Sequence, residues 1–100
     1  MSFKNRDIIS INDLSKADLL HIIDVAKKME KPQPNLLRGK ILASLFFEPS
    51  TRTRLSFLHA MESLGGRVLG FDNAAITSIE KGESLWDTAK ITESYCDLMV

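Results

Sequence analysis

The sequence has very little cysteine. Cys96 is the only one, so no internal disulfide can form, a thiolate-ligated metal site is disfavoured, and the composition suits a reducing cytoplasm. Cys96 itself reads as a small, half-buried hydrophobe. The sequence also lacks net charge. Thirteen basic residues balance thirteen acidic ones, so no overall field attracts nucleic acid or an anionic membrane, and any anion site must come from local arrangement. No window approaches the ~20 apolar residues of a membrane span. The start, with Lys4, Asn5, Arg6 and Asp7, has no apolar stretch of signal length, so a soluble, unexported, cytoplasmic protein is expected. Glycine is absent between Gly39 and Gly65, and with no G-x-x-x-x-G-K-S/T pattern a nucleotide P-loop is excluded. His21 and His59 have no second ligand at metal spacing, which leaves both as surface or packing residues.

What remains is ordinary globular composition: 100 residues, 44% hydrophobic and 26% charged. That argues against disorder and coiled coil and leaves room for one small domain. No internal repeat or low-complexity tract breaks it.

Along the chain, Ser15-Lys16-Ala17-Asp18 has capping-box spacing. Leu19, Ile22, Ile23 and Ala26 then recur on one helix face, predicting a helix from Lys16 to Glu30. Pro32 and Pro34 mark a surface connection. The apolar run Ile41 to Phe47 predicts a strand buried on both faces, as in a parallel sheet. A second helix is expected from Ser50 through Leu64, closed by Gly65-Gly66, and a short strand from Arg67 to Phe71. Asp72 to Glu83 shows neither period and reads as a long exposed loop. Ser84 caps a third helix running through Tyr95, and Asp97 to Val100 begins another strand. Tyr95 reads as a core aromatic, whereas Trp86 fits either the core or a subunit contact. The alternation predicts an α/β fold, a parallel sheet with flanking helices, whose ligands gather at the carboxyl ends of strands.

Ser50 lies just past one such end. The segment Pro49-Ser50-Thr51-Arg52-Thr53-Arg54 runs against helix electrostatics, because the positive end of the helix dipole favours Asp or Glu, not arginine. Free backbone N–H groups, the hydroxyls of Ser50, Thr51 and Thr53, and a guanidinium able to grip two oxygens together describe a pocket for a phosphate-like dianion. The plain alternative is a capped helix with solvated arginines; position at a strand's end, behind a proline, favours the pocket. Arg52 and Arg54 point to different faces, so Arg52 is assigned to the anion and Arg54 to a structural ion pair. A second candidate is Thr77 to Glu83, where Lys81, beside Gly82, could enter a site and neutralise charge.

Phe46 to Phe57, with Glu48-Pro49-Ser50-Thr51-Arg52-Thr53-Arg54 at its centre, closely resembles the carbamoyl phosphate signature of transcarbamoylases. The resemblance continues through Leu64-Gly65-Gly66, Gly70-Phe71 and Lys81-Gly82-Glu83-Ser84-Leu85-Trp86-Asp87-Thr88. Within that family it is to the aspartate carbamoyltransferase branch. Ornithine carbamoyltransferases share Ser-Thr-Arg-Thr-Arg, but Glu48-Pro49 and the Lys81-Gly82-Glu83 loop look more like the aspartate enzymes. The resemblance implies a partial carbamoyl phosphate-binding domain of the transcarbamoylase fold. It also implies transfer of the carbamoyl group from carbamoyl phosphate to L-aspartate in pyrimidine biosynthesis, with no metal or organic cofactor. By the same likeness, Ser50, Thr51, Arg52 and Thr53 would contact phosphate and carbonyl. Arg52 would stabilise charge on the leaving phosphate, and Thr53 would help polarise the carbonyl. Ser78 and Lys81 match a serine and a lysine that reach into a neighbouring subunit's site, implying a homotrimer, with regulatory subunits as possible partners. Transcarbamoylases are several-fold longer than this chain. A further phosphate-binding arginine, a carbonyl-contacting histidine and the aspartate-binding domain are therefore expected outside residues 1–100, and the chain alone is expected not to turn over. A non-catalytic anion-binding or association module is the alternative.

Overall fold

The structure, a computed structural model, describes residues 3–73 and 78–100. The chain forms two units, Met1–Pro32 and Gln33–Val100.

In the first unit a short 3-10 turn, Ile11–Asp13, precedes helix α1, Lys16–Lys28. The expected capping box is present: the Asp18 amide donates to Ser15 Oγ at 3.0 Å and the Ser15 amide to Asp18 Oδ2 at 2.9 Å. The helix stops two residues before the expected Glu30, with Lys27 and Lys28 in its last turn, where the dipole favours cations. Asp18 is buried and carries an ion pair with Arg6 at 3.3 Å, and Phe3 stacks on His21 at 5.8 Å. The apolar stripe of α1 is left outward in part, since Ile22 and Ile23 are exposed.

The second unit is a three-stranded parallel sheet. β1 is Ile41–Leu45, β2 Arg67–Phe71 and β3 Leu98–Met99, in the order β2-β1-β3. β1 is central, pairing Ile41 with Arg67 through Leu45 with Phe71 on one side, and Leu42 with Leu98 on the other. Its middle residues Leu42, Ala43 and Ser44 are buried, as an apolar run flanked by strands on both sides requires. The strand ends at Leu45 rather than Phe47, although the Phe46 amide still donates to Phe71 O at 3.0 Å. Phe47 meets Phe71 edge-to-face at 5.2 Å.

Helix α2, Arg52–Ser63, makes the crossover from β1 to β2. It closes as the glycine pair predicts: the Gly65 amide donates to Glu62 O at 3.1 Å and the Gly66 amide to Met61 O at 3.0 Å. That double bond pattern needs the left-handed φ of 87° that Gly65 adopts. Met61 is buried beneath this turn, close against Gly66. Helix α3, Leu85–Glu93, capped by Ser84 as expected, leads to β3. Because β2 and β3 flank β1 on opposite sides, right-handed crossovers send α2 and α3 to opposite faces of the sheet.

Two expectations change here. The segment read as a loop without structure contains a 3-10 turn, Ser78–Lys81, while Thr77 lies outside the described residues. Tyr95 is not a core aromatic. It is 62% exposed, and Trp86 is 67% exposed with the Lys90 ammonium 5.5 Å over its ring. α3 ends at Glu93, two residues before Tyr95, so that side chain leaves the helical face on which it was placed. Cys96 is half-buried as expected, and burial pushes its thiol pKa up.

Candidate functional site

The carboxyl end of β1 feeds directly into the basic turn. The register fixes that end: the Phe46 amide donates to Phe71 O at 3.0 Å, the Leu45 amide to Val100 O at 2.8 Å. Glu48 and Pro49 then turn the chain, and α2 begins at Arg52 rather than at Ser50. Ser50 and Thr51 therefore stand ahead of the helix and not in its first turn.

This helix start differs from the other two. Ser15 and Ser84 each accept an amide hydrogen bond at the head of α1 and α3, and each of those first turns contains an aspartate. At α2 the N-cap is Thr51, whose side chain makes no capping bond, and the first turn has no acidic residue. The opening N–H groups of a helix have no partner within the helix itself. In α1 and α3 a serine and an aspartate answer that need; around the start of α2 the sequence offers Ser50, Thr51, Arg52 and Thr53 instead. Neither a side-chain cap nor a first-turn carboxylate is present at α2, so the capping half of the plain alternative is absent, while Arg52 is exposed as that alternative expected.

The arginines separate as their spacing predicts. Arg54 pairs with Asp72 at 3.9 Å across to the end of β2. Arg52 is exposed and enters none of the ion pairs among the described residues. Arg54 and Asp72 also border a depression of about 340 Å³ between α2 and β2, together with Ser44, Leu58 and Gly70. Ser44's buried hydroxyl has no hydrogen-bond partner among the described residues. A second depression, open and about 450 Å³, is lined by Leu45 to Ser50 and by Thr53. Ser50 and Thr53 thus share one concavity, with exposed Thr51 and Arg52 between them in sequence.

Ser78 and Lys81 are not among the residues lining either depression. Their turn packs against α3, and both residues are exposed. The Glu83 amide donates to Ser78 O at 3.0 Å, and Thr88 Oγ1 donates to Glu83 Oε1 at 2.6 Å. Sequence reasoning gave Glu83, Thr88 and Asp72 no individual role. Only an acidic residue five positions before a helical threonine pointed to the first pair, and nothing short of the strand register pointed to the Arg54–Asp72 pair.

These features define a class: parallel α/β proteins with a hydroxyl-rich, basic turn where a central strand meets its crossover helix. Comparison with known proteins narrows it. The profile described as "Aspartate/ornithine carbamoyltransferase, carbamoyl-P binding domain" matches residues 6–100, and the chain belongs to that family. Among its relatives, the aspartate carbamoyltransferase catalytic subunit of Thermococcus kodakarensis is 54% identical over 105 residues, covering 100% of this chain and 34% of that one. That of Methanosarcina barkeri is 50% identical, with the same coverage of 100% and 34%. Among solved structures, the aspartate transcarbamoylase of Trypanosoma cruzi in complex with carbamoyl aspartate and phosphate superposes with a TM-score of 0.88. It is 40% identical and covers 97% of this chain and 33% of that one. The catalytic subunit of M. jannaschii aspartate transcarbamoylase gives 0.83 at 46% identity, covering 94% and 32%. The chain spans about a third of the length of the curated relatives it matches.

Proposed function

We propose that the turn Ser50 to Thr53 binds the phosphate of carbamoyl phosphate, and that the protein transfers the carbamoyl group to L-aspartate, giving N-carbamoyl-L-aspartate and phosphate in pyrimidine biosynthesis. One observation carries this reading: α2 alone of the three α-helices described starts without a side-chain cap or an acidic residue, and does so at the carboxyl end of the central strand. A dianion there accepts hydrogen bonds from the free N–H groups and sits at the positive end of the helix dipole.

In the reaction the aspartate amine forms a C–N bond to the carbamoyl carbon. The C–O bond to phosphate breaks, and one amine proton ends on the departing phosphate. Arg52 and the turn's N–H groups stabilise charge growing on that leaving group, and Thr53 donates toward the carbamoyl oxygen. Ser50 and Thr51 fix the orientation of the phosphate, so the chain's contribution is positioning plus electrostatics.

Ser78 and Lys81 are exposed and are not among the residues lining this concavity, which fits their donation to a neighbouring copy, on the aspartate side of its site, in a homotrimer. Regulatory subunits are further candidate partners. The aspartate-binding domain is assigned to residues outside these 100, and the protein is placed in the cytoplasm. The names of the T. kodakarensis and M. barkeri relatives support the aspartate branch over the ornithine one.

The test is formation of carbamoyl aspartate from the two substrates by a full-length version and by this chain. Activity in the full-length protein and none in the chain is expected. Absence of activity in both would end the enzyme reading.

A further inference from the structure

We infer that Thr88 is a positioning residue for Lys81, acting through the carboxylate of Glu83. The inference rests on the reading of Lys81 as a substrate-side lysine. Thr88 is only 5% exposed, at the first turn of α3. Its hydroxyl has one proton and two acceptors in reach, Glu83 Oε1 at 2.6 Å and the Ser84 carbonyl at 3.1 Å. The shorter, charge-assisted contact takes the proton. The carbonyl has its own donor, the Thr88 amide at 3.0 Å.

Helix capping does not need this bond, because Ser84 already accepts from the Asp87 amide at 3.1 Å. What the bond does is tie Glu83 to the helix. Glu83 in turn closes the Lys81 turn, its amide donating to Ser78 O at 3.0 Å. Ser78 and Glu83 bracket Lys81, and the Thr88 hydroxyl anchors that bracket to a helix whose next turn is braced by the Thr92 hydroxyl donating to Thr88 O at 2.7 Å. The same bond keeps the Glu83 carboxylate on the α3 side. That carboxylate is two residues from Lys81, whose ammonium enters none of the ion pairs among the described residues. A carboxylate released from Thr88 could fold onto that ammonium and compete with an anionic substrate.

The first measurement is trypsin cleavage after Lys81, referenced to cleavage after Lys90 inside α3, in the chain itself. Thr88→Val is expected to speed cleavage after Lys81 about tenfold, the loss of a hydrogen bond to a charged group, with cleavage after Lys90 changed less than about twofold. Thr88→Ser should restore the slow rate. Glu83→Ala should match Thr88→Val, and the double variant should be no faster than either, since one bond is lost in all three. Glu83→Ala carries the test if Thr88→Val does not fold. Unchanged cleavage after Lys81, a parallel rise after Lys90, or additive effects in the double variant would overturn the latch. In the full-length protein, Thr88→Val should raise KM for aspartate several-fold while leaving phosphate affinity unchanged; an unaltered KM beside faster cleavage would overturn the positioning role. The cleavage arm uses no substrate, so it stands or falls apart from the proposed reaction.

Discussion

Replacing Gly70 by alanine probes how tightly the sheet holds the site. Gly70 pairs with Ser44 in the β1–β2 register and adopts a φ of 137°. A Cβ there would overlap the carbonyl oxygen of Ser44 and lie 2.7 Å and 2.9 Å from its carbon and nitrogen. All three atoms are backbone, so no side-chain rotation relieves the clash, and the strands must separate. The strained φ costs about 1–3 kcal/mol for a residue with a Cβ. Opening the end of the ladder, where the Phe46 amide donates to Phe71 O, adds about 1 kcal/mol for each hydrogen bond lost. Gly70→Ala should therefore destabilise the chain by about 2–4 kcal/mol, a large part of the total for a domain of this size. Urea unfolding followed by circular dichroism reads this as a lower midpoint at an unchanged slope. A loss below about 1 kcal/mol would refute the reasoning, because it would mean that the strands part freely at this end.

Met61 is 4% exposed beneath the Gly65-Gly66 turn, and Met61→Ala should cost about 2–4 kcal/mol in the same assay. Arg54→Ala should cost less than about 1 kcal/mol from its ion pair with Asp72, a pair whose aspartate is 57% exposed, and should leave phosphate affinity close to that of the unaltered chain. Acid should loosen the head of α1. The Ser15 amide and then Arg6 hold the Asp18 carboxyl below its ordinary value of 3.8, as the Ser10 and Ile9 amides do for Asp13. A lowered pKa contributes stability that is present above the ordinary value and lost as pH falls through the folded one. Hydrogen exchange at the Ser15 and Asp18 amides should therefore stay protected above about pH 4 and, corrected for intrinsic rates, lose protection below it. Protection unchanged across that range would contradict the assignment.

Local chemistry made much of the fold legible. The Ser15-to-Asp18 box, the Ser84 cap and the Gly65-Gly66 terminator act within a few residues, so spacing alone revealed them. The apolar run at Ile41 marked the central strand because burial on both faces leaves no polar alternation. Contacts set by the register were not legible. Arg54 was assigned an ion pair, but its partner Asp72 depends on β1 and β2 being parallel and in step, which no local pattern encodes. Tyr95 was misplaced because its helical period outlasts α3 by two residues, and Ser50 was put inside a helix that starts at Arg52. At the candidate site the residues were readable as a group, since arginine in place of aspartate at a helix start is itself the anomaly. Thr88 was read only as part of a helix and of the resemblance, because a buried threonine in a helix has many ordinary roles.

The central claim is that the start of α2 holds a doubly negative group. Titration of the isotope-labelled chain with inorganic phosphate, followed through its amide resonances, tests it most directly. Saturable shifts centred on the amides of Thr51 to Arg54, weakened at least tenfold by Arg52→Ala and kept in Arg54→Ala, are expected. Amides that do not move, or an Arg52→Ala variant that binds as well as the unaltered chain, would contradict it.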